Sequence, residues 1–319
     1  MIGDHLQEFH GLPAFDFPDG EDGPVDPAGL PAPESVAWYV RGDIYGSGES
    51  WEKAFERFRT AVDTTRVRAL IVGVWGEAYD GGPEEVIEAL VQAHDRLPAL
   101  RALFLGDITY EESEISWIAQ GDVTPLLRTF GELVELGVRG GNDLRLGPVR
   151  HERLRTLRVE TGGMPAEAVR GVAASDLPAL AHLDLWLGTP EYGGDAEVGD
   201  LEPILAGTRL PSLKYLALRN SEMQDDICAA LAAAPVVARL DVLDVSMGTL
   251  SDDGASALLT GQPLTHLKAL DMHYNYLSEA MCIRLRDSLV PAGVKVDTDP
   301  DDARDDGGDD DGRYVSVGE

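Results

Sequence analysis

The chain has 319 residues, 44% of them apolar, and its 57 acidic against 26 basic side chains give a formal net charge of −31. A field of that sign repels nucleic-acid phosphates and anionic lipid surfaces, so neither is an expected partner; it also keeps a protein dispersed in water. No apolar run approaches the ~18–20 residues a spanning helix needs, and the opening MIGDHLQEFHGLP lacks the basic and apolar regions of a secretory signal. The location expected from this is cytoplasmic, and a monomer is the expected oligomeric state.

Residues 1–34 come first. The stretch His5 to Phe17 carries Leu6, Phe9, Leu12, Phe15 and Phe17 and reads as a cap over the end of a repeat array; residues 18–34, rich in Pro, Gly and Asp, read as a loop. From 35 to 296 the pattern L-x-x-L-x-L recurs. Its clear copies begin at Leu100, Leu133, Leu154, Leu180, Leu213, Leu240 and Leu267, and two looser ones centre on Trp38 and Leu70. The fullest copy, LKALDMHYNYL, places Leu267, Leu270, Met272, Asn275 and Leu277 at every anchor. Alternating anchors put one apolar flank on each strand. Burying an anchor yields ~1.5–3 kcal/mol against an ordering cost of ~1.5 kcal/mol per residue, so a single unit cannot stay folded alone. Stacking is required.

Helical spacing follows the strands over 49–62, 83–95, 122–130, 165–174, 201–206, 222–234, 251–259 and 278–289, with Pro83, Ser251 and Ser278 at the starts. Cys228 and Cys282 fall in two of these segments and read as buried apolar residues rather than a disulfide. Position nine of the repeat is Asn only at Asn275. It is glycine at 141, 162, 188 and 248, which predicts turns that depend on glycine's backbone freedom. Val294 and Val296 suggest a last short strand. The fold class expected is therefore an α/β solenoid, a horseshoe with a parallel concave sheet of about ten strands and helices on the convex side.

These anchors, with helix-length connectors, resemble leucine-rich repeats of the ribonuclease-inhibitor-like type over roughly residues 35–296. The opening EFHGLPAFDF, the Asp-rich tail and the closing RYVSVGE look like an uncharacterised family of bacterial cytoplasmic leucine-rich-repeat proteins. That resemblance implies no known activity. It implies an accessory role beside enzymes of the radical-SAM or ATP-grasp type, presenting a peptide substrate to a modifying enzyme.

Residues 297–319 read as an acidic disordered tail: nine aspartates fall between Asp297 and Gly312, a composition that buries no core. Asp297, Asp299 and Asp301 mimic the start of a calcium loop, but Asp302 and Gly308 stand where glycine and glutamate are needed. Arg313 to Val317 alternates like a strand, able to pair with a sheet edge of this chain or a partner, or to fray.

The third, fifth and seventh repeat positions face the concave side. They hold Arg41, Arg139, Arg158 and Arg219 against Glu135, Glu160, Asp184, Asp244 and Asp271, so this face is close to neutral on a strongly acidic body. Arginine and aromatic residues are the composition of interaction hot spots. The expected contact residues for a protein or peptide are Tyr39, Phe104, Arg139, Arg158, His182, Asp184, Trp186, Tyr215, Arg219, Asp271 and His273, centred on Arg139, Arg158, Trp186, Tyr215 and Arg219. The competing reading is that the arginines only pair with Glu135, Glu160 and Asp184 on neighbouring strands. No phosphate loop, H-E-x-x-H or G-x-S-x-G occurs. The pairs His182/Asp184 and Asp271/His273 lie three strands apart, ~14 Å at ~4.8 Å per strand, too far to share one metal. A non-catalytic scaffold with no cofactor and no metal is the reading the residues give.

Overall fold

The computed structural model describes residues 2–20, 25–44, 48–300, 303 and 312–319. Twelve strands form one sheet in chain order: β1 (Glu8–Phe9), β2 (Leu12–Asp16), β3 (Ala37–Val40), β4 (Ala69–Val72), β5 (Ala102–Leu105), β6 (Glu135–Arg139), β7 (Thr156–Glu160), β8 (His182–Gly188), β9 (Tyr215–Ser221), β10 (Val242–Asp244), β11 (Ala269–Asp271) and β12 (Lys295–Asp297). From β2 onward every pairing is parallel, and the register follows the repeat: Phe15, Trp38, Leu70, Leu103, Leu136, Leu157, Leu183, Leu216, Leu243, Leu270 and Val296 stand in one row. A slip of one residue would turn the anchors of a strand to the opposite face.

Among the described residues eight α-helices run between the strands: α1 (Trp51–Ala61), α2 (Glu84–Gln92), α3 (Thr124–Thr129), α4 (Ala166–Ala174), α5 (Glu202–Ala206), α6 (Gln224–Leu231), α7 (Asp252–Gly261) and α8 (Glu279–Leu289). Each lies in a segment whose helical spacing predicts it, within three residues at its ends. In α1, Trp51, Ala54, Phe55 and Phe58 recur at three- and four-residue intervals and are all buried, one stripe turned to the sheet. Ser251 and Ser278 cap α7 and α8 by accepting from the Asp253 and Met281 amides. A continuous core from Phe17 to Val294 fills the space between helices and sheet. The result is a solenoid-like repeat fold built on one open, mostly parallel sheet. None of the helices is long and apolar enough to cross a membrane.

The sheet exceeds the expected ten strands because the N-terminal cap is itself stranded. His10 (φ 55°) and Gly11 (φ 68°) make a two-residue turn of the kind that matches strand twist, and β1 pairs antiparallel with β2. The hairpin then curls over the concave face. Phe9 meets Phe104 edge-on at 5.9 Å, His5 lies 5.1 Å from the Tyr39 ring, and Leu6, Leu12 and Ala14 pack with Ala37, Ile71 and Ala102.

The disordered tail expected over 297–319 is corrected at both ends. Asp297 closes β12, and residues 312–319 pack against the repeats with Val315 and Val317 buried. Buried anchors outweigh the polar composition there. The rest of the aspartate run, 301–302 and 304–311, lies outside the described residues.

The glycine expectation at position nine also needs correcting. Only Gly188 is left-handed, at φ 67°; Gly141, Gly162 and Gly248 are not. Close approach is the requirement instead: a Cβ on Gly141 would stand 2.6 Å from the Gly163 carbonyl oxygen of the next turn. At Gly188 both reasons apply, since its Cβ would lie 1.9 Å from the Gly162 oxygen. Gly188→Ala is expected to cost about 2–4 kcal/mol from left-handed strain plus overpacking, read as a fall in the denaturant midpoint; an unchanged midpoint would contradict the packing described.

Candidate functional site on the concave face

A ladder of opposite charges crosses the concave side from the end of β5 to β10. Arg139 donates to Asp107 (3.0 Å) and to Glu160 (2.8 Å). Arg158 sits between Glu160 (3.8 Å) and Asp184 (3.4 Å). Arg219 grips both oxygens of Asp184 from Nε (2.9 Å) and Nη2 (2.8 Å) and lies 3.5 Å from Asp244, which accepts from the Tyr215 hydroxyl at 2.8 Å. Arg139 and Glu160, and Arg158 and Asp184, stand directly opposite each other in the parallel register, while Arg219 lies two positions beyond Ala217, the register partner of Asp184, so Glu160 and Asp184 each reach two arginines. Cross-strand pairing of the arginines is therefore what the geometry displays, with one exchange of partner: Glu135 binds His10 of the hairpin, at 2.9 Å.

The two halves of this face differ in access. Tyr39, Phe104 and Arg139 are 2%, 1% and 3% exposed, lying under or beside the chain's own N-terminal segment. Trp186 is covered by residues 2 and 317. These four expected contact residues are unavailable to a partner, a correction whose cause is that both chain ends fold back onto the sheet. Asp184 and Asp244 are buried under Arg219 and Tyr215. Arg158, His182, Tyr215, Arg219, Asp271 and His273 stay reachable, gathered on β7 to β11 with His273 just beyond, where the Asp271 carboxylate binds its Nδ1 at 2.7 Å. The rings of His182 and Tyr215 stack at 3.9 Å and 6°.

Charges respond to this burial. Burial opposes the Arg139 and Arg219 cations, but their carboxylates more than offset it and hold both guanidinium pKa values above the ordinary value. Burial raises Asp244. His182 is pushed down to about 4, chiefly by burial, and its Nε2 meets no hydrogen-bond partner. His5 moves up, because the Asp107 side chain accepts from it and Glu112 adds attraction. The two histidines make opposite contributions to stability. His182 stabilises fully above its unfolded value of about 6.5 and loses this as pH falls toward about 4. His5 stabilises fully below about 6.5 and loses this as pH rises through its raised value. From pH 7.5 to 5, amide protection factors, corrected for the intrinsic exchange rate at each pH, should therefore fall around β8 and β9 and rise in residues 5–9. The same change in both regions would contradict these environments.

Sequence reading missed Asp107, which lies at position eight, outside the positions assigned to the face. It is fully buried, binding Arg139 on one side and the Leu6 amide (3.0 Å) on the other. An acidic residue two positions after a fully apolar strand was the available signal. No group of three or more metal-ligating side chains occurs among the described residues.

The chain is similar in structure to a Bacteroides fragilis protein: TM-score 0.72, 29% identity, covering 81% of this chain and 70% of that one. An internalin of Listeria monocytogenes also matches, at 14% identity over 80% of this chain and 84% of that one, but its TM-score of 0.30 carries no argument. No protein-family model matches, and no curated protein does.

Proposed function

We propose that this protein is a non-catalytic scaffold of the ribonuclease-inhibitor-like leucine-rich-repeat kind, and that the open patch of its concave face around Arg158, His182 and Tyr215, on β7 to β9, docks a protein or peptide. One observation carries the reading. Arg158 is 36% exposed and meets its two carboxylates only at ion-pair distance, 3.8 Å from Glu160 and 3.4 Å from Asp184, both of which Arg139 and Arg219 engage more closely; its Nε is enclosed, so the exposed end of the guanidinium is what a partner would reach. It has donors to offer, beside a stacked His182–Tyr215 pair presenting a flat ring surface. Planar cations next to rigid aromatics are typical anchors for binding. The matching partner segment carries a carboxylate or carbonyl acceptor and a planar or apolar group next to it. Affinity capture with wild-type protein, Arg158→Glu and Tyr215→Ala tests this. Partners lost with both variants, at unchanged melting temperature, support it; partners retained by both would refute it.

A further inference from the structure

Residues 313–319 lie against the strand-end rim of repeats six to nine in the manner of a bound peptide. The Asn220 amide accepts from the Val317 N–H (2.9 Å) and donates to its carbonyl (2.6 Å), satisfying both main-chain groups of one residue. The Tyr276 hydroxyl does the same for Tyr314, accepting at 2.8 Å and donating at 3.2 Å. Between them the Ser316 amide donates to the Met247 carbonyl (2.9 Å). Arg313 donates to the Thr249 carbonyl (2.8 Å) and lies 3.5 Å from Asp225, and Tyr192 donates to Glu319 (2.6 Å). Val315 and Val317 point inward, 8% and 4% exposed, while Tyr314 is 54% exposed, the alternation of an extended chain. Gly162 leaves room for the main chain, since a Cβ there would sit 2.2 Å from the Gly318 oxygen.

Two features mark the rim as built for a ligand rather than merely covered by one. Asn220, Met247 and Tyr274 hold left-handed backbones (φ 50°, 65° and 45°) at the same repeat position, eight, in three successive repeats. Such conformations in residues other than glycine cost energy and gather at ligand clamps. Here two of the three bind the segment directly. In addition, the Val317 side chain shares its pocket with Ile115, Trp186 and Met247, yet the buried Trp186 Nε1 has no hydrogen-bond partner. The resident segment leaves a donor of its own pocket unused.

We propose that this rim is a sequence-selective peptide site for extended segments of the form Arg-x-Val-x-Val, and that residues 313–319 are a resident ligand which a partner segment of that chemistry displaces. It is distinct from the open concave face and stands or falls separately. The test titrates a fluorescent synthetic peptide, RYVSVGE, into the full chain carrying Val317→Asp, which sets a carboxylate in the apolar pocket and ejects the resident. The peptide should bind this variant at least about tenfold tighter than wild type, where a tethered competitor acts at an effective concentration of order millimolar. Adding Asn220→Ala should abolish binding. No binding to a folded Val317→Asp protein, or binding indifferent to Asn220→Ala, overturns the proposal. Should Val317→Asp not fold, amide exchange of 313–319 in the wild-type chain decides: acceleration by excess peptide supports displacement, and no change overturns it.

Discussion

Arg139→Ala is expected to destabilise the protein by about 3–5 kcal/mol, the range for removing one member of a buried charge group. The substitution leaves Asp107 and Glu160, 0% and 5% exposed, with only their looser cations, His5 at 3.5 Å and Arg158 at 3.8 Å. It also frees the Ile108 carbonyl, which Arg139 binds at 3.0 Å, and removes the guanidinium stacked 5.4 Å from the Phe104 ring centre. Arg139→Lys should recover only part of the loss, since one ammonium cannot reproduce the guanidinium's fixed fork toward two carboxylates and a carbonyl. Equilibrium unfolding in urea reads both. A loss below about 1 kcal/mol, the worth of an exposed pair, would mean that water reaches this site.

Phe9→Ala is expected to cost about 3 kcal/mol, at the low end for a buried phenylalanine, because the ring is 6% exposed and sits edge-on to Phe104. The loss should appear as local opening rather than global unfolding, since β1 pairs with β2 and packs on the concave face at the end of the array. Protection of the Ala14 amide, bonded to the Gln7 carbonyl at 2.9 Å, should fall while that of the Leu216 row is kept. Loss of protection throughout would show that the hairpin is needed for the whole array.

The repeat pattern made the solenoid legible because each anchor has one geometric meaning: an apolar residue every second position in a strand, set in register by its neighbours. Trp38 and Leu270, 232 residues apart in the chain, fall in the same row for that reason. The concave positions were legible too, and Arg158, Tyr215 and His273 face where the repeat puts them. What periodicity does not encode is what lies on top. Leu6, Phe9 and Leu12 read as a cap, but their choice of Tyr39 and Phe104 as packing partners is a long-range contact with no local signature. The segment Arg313 to Val317 showed its extended alternation. Its docking site did not, because Asn220, Met247 and Tyr274 share a backbone conformation and not a residue type.

The chain's own ends cover Tyr39, Phe104 and Trp186 on the concave face and leave the patch around Arg158, His182 and Tyr215 open. Hydroxyl-radical footprinting of the wild-type protein tests it side chain by side chain. Tyr39, Phe104 and Trp186 should be protected while His182, Tyr215 and His273 are labelled; comparable labelling of Tyr39 and Phe104 would mean that the chain ends do not cover them.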